Sequence, residues 1–323
     1  MNSLPKVTVG VVLYGTKYIG DSLVSLLQQD YPNVEYILRD QEEGAWSAYD
    51  WLKVNMPGIF EKALVEKGAN KWHSGGHNEI ISKMTGEYYF CLSNDMLYEK
   101  DFVSKMMDRL MQHPEYGFAT CKSLQWNYEK QERTNVIDSV GIGITKWHKF
   151  YDIGNGEVDD GQYDSVSEIF GASGAVCVFK KEALEQIRYE NEYFDELIHY
   201  KNDCDLSYRL QWAGFSCLFV SDAKVWHDRQ LNETVPWSSP IRRKSVWGDK
   251  VVIEKNFSKS FPWKVKVLTW MYHVCKRAFL LLRFPGIWKD WRAYAKIAVV
   301  VAQKRAQMPR SVGADKKILN FMN

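Results

Sequence analysis

Two short runs near the start constrain the fold more than anything else in the chain. VTVGVVLY (7–14) is an unbroken, largely β-branched stretch, the pattern of a strand covered on both faces. IGDSLVSLLQQ follows, with Ile19, Leu23, Leu26 and Leu27 at helical spacing, and VEYILRD (34–40) is a second strand that stops on Asp40. Strand, helix, strand in that order is a βαβ opening, which calls for an α/β fold with helices over the faces of a mostly parallel sheet.

The alternation continues as far as about residue 230. A helix is expected over SAYDWLKV and another over FEKALVEKG (60–68). KWHSGGHNEIISKMTG (71–86) reads as a flexible Gly-Gly corner leading into a helix that carries Ile80, Ile81 and Met84. EYYFCLSND is a strand ending on Asn94 and Asp95, followed by a helix at 99–112; GFATCKSLQWN (117–127) is another strand. Residues 128–167 are polar, Gly-rich and poorly periodic, an excursion with short strands. Loop, strand and helix follow over 166–187, then an acidic loop feeding a helix that Gly214 closes, and a strand ending near His227.

Ligands of alternating α/β units bind at the carboxyl ends of strands. Asp40, the Ser93-Asn94-Asp95 triplet and the acidic loop before residue 206 all fall there. Each has a bland reading, since Asp or Ser after a strand often caps a helix. Taken together they suit a diphosphate-bearing substrate, whose crowded oxygens need a divalent cation before they can be desolvated or leave. Asp95 is a hard oxygen ligand fit for Mg2+ or Mn2+, and a nitrogen from His227 would tilt the choice towards Mn2+. Asp203 and Asp205 straddle a helix start two residues apart and so do not share a face.

The ordered set VTVGVVLYG, strand-ending Asp40, GGHNEIISKMTGEYYFCLSND, GASGAVCVFKKEAL, YFDELIHYKNDCDLSYRLQWAG and VWH resembles the inverting family 2 glycosyltransferases of the GT-A fold, particularly their bacterial rhamnosyltransferase-like branch. The resemblance covers roughly residues 6–230. It implies a GT-A-type mixed, mostly parallel sheet flanked by helices, and transfer of a sugar, foremost rhamnose from dTDP-rhamnose with UDP-hexoses behind it, to a hydroxyl of a cell-surface polysaccharide or lipid-linked glycan. By that resemblance Val12, Tyr14, Gly15 and Asp40 frame the nucleotide, Gly75, Gly76 and Asn78 lie near it, and Asn94 and Asp95 meet the donor. Asp95 and His227 hold the cation, Asp203 is the catalytic base, and Gly171, Ala172, Gly174 and Asp205 line the acceptor side. Two positions depart from the family pattern: Ser93 stands where its Asp-x-Asp motif begins, and Asn202 replaces the first acidic residue of Glu-Asp-x-Asp.

Trp46, Trp72, Trp126, Trp147, Trp212 and Trp226 are each more readily core than sugar platform, with Trp126 and Trp147, in or beside the aperiodic region, the better acceptor-side candidates. Arg242 and Arg243 could meet phosphate or form a solvated basic turn. Two other functions share parts of this pattern. A nucleotidyltransferase would want a denser, more basic glycine loop than GVVLYGTKYIGD; a non-catalytic sugar-binding module would account for Ser93 and Asn202.

The net charge of +2 conceals a split. From Lys250 to Arg310, 14 Lys and Arg face 2 Asp and Glu, and the totals of 42 and 40 leave 28 basic against 38 acidic residues elsewhere. A catalytic domain over 1–249 with a basic, aromatic-rich helical extension over 250–323 is therefore expected. The Trp263, Trp270, Trp288 and Trp291 side chains suit an anionic membrane surface met through 260–310; packing on the domain or a homodimer interface is the alternative. Charges at 276, 277, 283, 292 and 296 interrupt every apolar run, so no spanning helix is expected. Nucleic acid is the weaker partner for this charge, because no reading module accompanies it. The six cysteines lie far apart without a CxxC pair, which favours a reducing, cytoplasmic setting, peripheral at the inner face of the membrane.

Overall fold

A computed structural model describes residues 4–41, 47–229 and 240–323, with side chains of the last segment from Arg242 onward. The βαβ opening is present as β1 (Val7–Leu13), α1 (Ile19–Leu27) and β2 (Val34–Asp40), with β1 and β2 parallel and Leu13 opposite Asp40. Next come α2 (Ala48–Asn55), α3 (Ile59–Lys62), β3 (Ala63–Lys67), α4 (Trp72–Ile81) and β4 (Tyr88–Ser93). A short β5 (Met96–Tyr98) precedes α5 (Phe102–Gln112). The aperiodic excursion lies between β6 (Tyr116–Asn127) and β11 (Val176–Lys180). It holds β7 (Glu132–Ser139), the paired β8 (Ile142–Ile144) and β9 (Phe150–Asp152), and β10 (Glu168–Ile169). After β11 come α6 (Lys181–Gln186), α7 (Asn202–Ala213) and β12 (Ser216–His227).

The main sheet runs β3-β2-β1-β4-β11-β6-β12-β10, with β5 on β12 and β7 on β6. It is parallel from β3 to β4, reverses at β11, and is parallel again between β6 and β12. This is the mixed, mostly parallel α/β sheet expected. Strand alternation sorts side chains between two cores. Val7, Val9 and Val11 of β1 and Phe90 and Leu92 of β4 pack with α1 and α5. Tyr89 and Cys91 of β4 point to the opposite face, among Ile80, Leu206 and Leu210 from α4 and α7.

Two local expectations change. FEKALVEKG is a single helical turn followed by a strand, because Ala63 and Val65 turn inward while β3 pairs with the edge of β2. Such a period of two was masked by helix-forming Glu and Lys. The Gly-Gly pair is not a corner but the interior of α4: a Cβ at Gly76 would strike the Gln41 amide and lie 2.8 Å from Val12. The glycine costs helix stability, but it lets α4 sit directly against the sheet.

The C-terminal part is helical: α8 (Pro240–Asn256), α9 (Trp263–Arg283), a 3-10 turn, α10 (Trp288–Ala295), α11 (Ala298–Gln307) and α12 (Ala314–Asn320). The expected boundary after residue 249 falls inside α8. Phe170, Tyr208 and Trp212 share one apolar cluster with Val251, Val252, Phe261, Val301 and Ile318. Beneath it Lys255 bridges Asp195 and Asp205, Arg209 holds Asp205 at 2.9 Å, and Lys304 holds Asp195 at 2.7 Å. These helices therefore share a core with the sheet domain. No helix among the described residues is long and apolar enough to cross a membrane.

Candidate active site

Parallel register brings Tyr14, Asp40 and the Ser93-Asn94-Asp95 triplet to one end of the sheet: Leu13 lies opposite Asp40, and Val12 opposite Ser93. The Asn94 amide donates to the Tyr14 carbonyl at 3.2 Å, tying the loop after β1 to the end of β4. Gly15 turns that loop with φ +69°, a conformation that favours glycine, and Tyr14 is 64 % exposed beside it. Asp95 is followed by a strand, so it caps no helix; α5 begins only after Asp101.

Asp95 instead faces His227. Its Oδ1 lies 3.5 Å from His227 Nε2 and accepts the Ser93 hydroxyl. The other His227 nitrogen, Nδ1, is 2.9 Å from buried Asp138 Oδ2, and Asp138 also holds Arg229 Nε at 2.9 Å. Arg229 reaches on to Asp152 at 2.6 Å. Burial opposes charge on His227, but the Asp95 and Asp138 carboxylates outweigh it and raise its pKa to about 10. Burial likewise pushes Asp95 upward, yet His227 and the Ser93 hydroxyl hold its carboxyl below the usual range. A carboxylate oxygen and an imidazole nitrogen aimed at each other, with the far ring nitrogen anchored on a carboxylate, form a pair that can hold a divalent ion. Two cis ligands on such an ion would stand about 3 Å apart, from bonds of about 2.1 Å. Asp95 Oδ1 and His227 Nε2 stand wider than that at 3.5 Å, and an ion there would displace the proton that the two carboxylates hold on His227.

Asp203 reaches the same region through one short loop. The Ser93 N–H donates to the Ala175 carbonyl at 2.9 Å, and the neighbouring Gly174 N–H donates to Asp203 Oδ2 at 3.1 Å. A Cβ on Gly174 would lie 3.1 Å from Asp203, so a side chain here would crowd the carboxylate. Lys201, just before α7, adopts φ +72°, a strained left-handed geometry for a non-glycine residue. Asn202 fixes the first turn: its Oδ1 accepts the Asp203 N–H at 2.9 Å and its amide lies 2.8 Å from His73 Nδ1. Burial opposes the charge of Arg229, and the Asp138 and Asp152 carboxylates outweigh it and raise its pKa.

Other expected residues serve structure. Asp40 is fully buried and accepts Ser47 Oγ at 2.5 Å and the Tyr49 N–H at 2.9 Å, holding the start of α2. Asn78 clamps the acidic loop: it accepts the Tyr193 and Phe194 N–H groups at 3.0 and 2.9 Å and donates to the Phe194 carbonyl. Gly75 and Gly76 serve close packing of α4, a Cβ at Gly75 striking Lys71. Asp205 does not face an acceptor: it is fully buried, its oxygens taken by Arg209, Lys255 and Asn256. Gly171 and Ala172 sit on α7, where the Ala172 N–H donates to Ser207 Oγ at 3.3 Å. Trp126 is buried between Tyr18 and Tyr128, and Trp212 is core, whereas Trp147 is 38 % exposed. Arg243 is paired with Asp290 at 2.9 Å. Trp46 lies outside the described residues.

The sequence reading missed Asp138, Asp152, Arg229 and Lys201. Arg229 stood two residues beyond His227 and could have been noticed. Asp138 and Asp152 lie in the aperiodic stretch, where no pattern marks a residue that folds back to support a distant histidine.

Residues 5–249 match the family described as "Glycosyltransferase like family 2". The chain belongs to that family. No curated protein matches this chain in sequence. Among solved structures it is similar to GalNAc-T7 with UDP, GalNAc and Mn2+ (13 % identity, TM-score 0.57), covering 79 % of this chain and 48 % of that one, so it spans about half the length of that neighbour. It is also similar to S. aureus TarS 1-349 in complex with UDP, at 13 % identity and TM-score 0.52, covering 82 % and 69 %. A third is the mannosyltransferase PcManGT from Pyrobaculum calidifontis in complex with GDP-Man and Mn2+, at 13 % identity and TM-score 0.51, covering 94 % and 88 %. At such identities the likeness is one of fold.

Proposed function

We propose that this glycosyltransferase moves a sugar from a nucleotide-diphosphate donor to an acceptor hydroxyl with inversion, using Asp203 as general base and Asp95 with His227 as ligands of Mn2+ or Mg2+. The observation that supports this reading is that Asp95 faces His227, while the neighbouring Ser93 is hydrogen-bonded to Ala175 and the adjacent Gly174 N–H to Asp203. Asp203 takes the proton of the acceptor hydroxyl, which attacks the anomeric carbon from the face opposite the nucleotide. The C–O bond to the diphosphate breaks as the new glycosidic bond forms, and a single displacement inverts the centre. When bound, the cation supplies charge compensation for the departing diphosphate. Neighbours of this fold solved with UDP or GDP-Man, two of them with Mn2+, support the donor class.

The donor proposed first is dTDP-rhamnose, with UDP-hexoses as the alternative, and the acceptor is a cell-surface polysaccharide or lipid-linked glycan. An anionic membrane surface suits the outer face of α9, where Trp263, Val267, Trp270, Val274 and Leu281 form one stripe at helical spacing and are each 40–68 % exposed. Lys266 and Arg277 flank it, as headgroup contacts would require. On this reading the protein works at the cytoplasmic face of the membrane.

The test is a panel of nucleotide sugars incubated with Mn2+, Mg2+ or chelator, reading released nucleoside diphosphate. Cation-dependent release from one donor, abolished in Asp203→Asn and Asp95→Ala, is expected. A folded protein that binds nucleotide yet turns over none of the panel in the presence of glycan acceptors would overturn the reading.

A further inference from the structure

A second group of ligating side chains, His77 and Cys91 buried and His73 half-buried, takes no part in the chemistry above. His73 and His77 are four residues apart on α4 and so share one face. Cys91 is on the side of β4 that faces them. Their three ligating atoms all lie within 4.8 Å of one another. Cys91 Sγ is 3.3 Å from His77 Nε2 and 4.0 Å from His73 Nε2. A tetrahedral zinc ion with Zn–S of about 2.3 Å and Zn–N of about 2.0–2.1 Å would set sulfur and nitrogen about 3.6 Å apart. The two observed distances bracket that edge.

The surroundings fit a held ion as well. His77 Nδ1 lies on the Tyr89 hydroxyl at 2.5 Å, which can accept its N–H in the way protein sites orient a ligating histidine; His73 Nδ1 accepts from the Asn202 amide at 2.8 Å, so an ion on His73 Nε2 would displace a proton and turn that amide away. Cys177 lies directly opposite Cys91 in the β4–β11 register, its thiol 4.0 Å from the Cys91 carbonyl. Thiolate with imidazole is a soft to borderline donor set, unlike the carboxylate–imidazole pair of Asp95 and His227.

We propose that His73, His77 and Cys91 form a buried site for zinc or a similar thiophilic divalent ion, separate from the cation at the diphosphate. Filled, it joins β4 to α4 beside the first turn of α7 that carries Asp203, whose Asn202 amide meets His73. Its role is positioning, and it does not depend on which sugar is transferred.

Full-length protein stripped with chelator is titrated anaerobically with Co2+. One equivalent should develop a thiolate-to-cobalt charge-transfer band with the visible bands of tetrahedral cobalt, and Zn2+ should displace it. The band should vanish in Cys91→Ser, weaken at least 10-fold in apparent affinity in His77→Gln, and persist in Asp95→Ala, whose missing ligand belongs to the sulfur-free site. X-ray absorption at the zinc edge of the wild-type protein should show sulfur and imidazole scattering, a readout independent of whether a variant folds. Folded wild-type protein with no charge-transfer band, a band that survives Cys91→Ser, or a zinc shell without sulfur would each overturn the proposal.

Discussion

Replacing Lys255 by Met probes how the C-terminal helices are joined to the domain that carries Asp203. The Lys255 Nζ lies fully buried between two fully buried carboxylates, paired with Asp195 and 2.8 Å from Asp205 Oδ1. Asp195 then keeps Lys304 at 2.7 Å and the Leu197 N–H at 3.0 Å, and Asp205 keeps Arg209 at 2.9 Å and the Asn256 amide at 2.9 Å. Removing one partner of a buried ion pair costs about 3–5 kcal/mol, because the remaining charge is left without compensation in a poorly polarisable interior. Met matches the aliphatic stem, so little of the loss should come from packing. Urea denaturation followed by far-ultraviolet circular dichroism reads the difference. The pH dependence has a defined sign. Burial pushes Asp195 upward, but Lys255 and Lys304 hold its carboxyl well below the usual range, so its contribution is present above the unfolded value of about 3.9 and disappears as pH falls through the folded one. The gap between wild type and variant should therefore narrow below about pH 4. In an Asp195→Asn background the same Lys255→Met change should cost at least 1 kcal/mol less, since the carboxylates it strands are fewer. A loss under 1 kcal/mol in the single variant, or no coupling to Asp195, would refute the reasoning.

Asp203→Asn should lower kcat about 10²–10⁴-fold with donor binding and folding retained, measured by released nucleoside diphosphate and by nucleotide titration. His227→Ala should abolish stimulation by Mn2+ or Mg2+, while the low activity that remains no longer responds to chelator. Gly174→Val should reduce kcat by crowding the Asp203 carboxylate, with a smaller effect from Gly174→Ala. His148 is buried against Tyr208 and lies 2.8 Å from Thr269 of α9; burial, aided by His273, lowers its pKa to about 3. The fold holds it neutral, so stability is full above the unfolded value of about 6.5 and is lost as pH falls towards 3; about 2 kcal/mol should be gone at pH 5, and His148→Phe should remove that slope in urea titrations at pH 8 and 5.

The strand ends that gather at the candidate site could be read from the chain. A strand ending on Asp95 and another ending on His227 are local patterns, and in parallel α/β units the carboxyl ends of strands gather at one edge. The meaning of individual polar residues could not be read in the same way. Asp203 and Asp205 are equivalent in composition and differ by two positions; the first meets the Gly174 N–H, whereas the second disappears into an ion network with Lys255 and Arg209. Asn78, expected near the nucleotide, also clamps the loop at Tyr193 and Phe194, a contact no linear pattern announces. Asp138 supports His227 from 89 residues away in sequence, in a segment without period.

The strand and helix order, the mixed sheet and the family were determined by the sequence itself, because hydrophobic period and strand-end residues are short-range properties that survive without coordinates. The fate of the basic C-terminal helices was decided only in the tertiary structure. Their charge and aromatic content describe a surface, yet Val251, Val252, Phe261 and Ile318 are buried in one core with Phe170, Tyr208 and Trp212, while Trp263 and Trp270 remain outside. The convergence of His73, His77 and Cys91 is of the same kind: a helix face and a strand face meet only once the sheet has formed, and linear spacing holds no record of that distance.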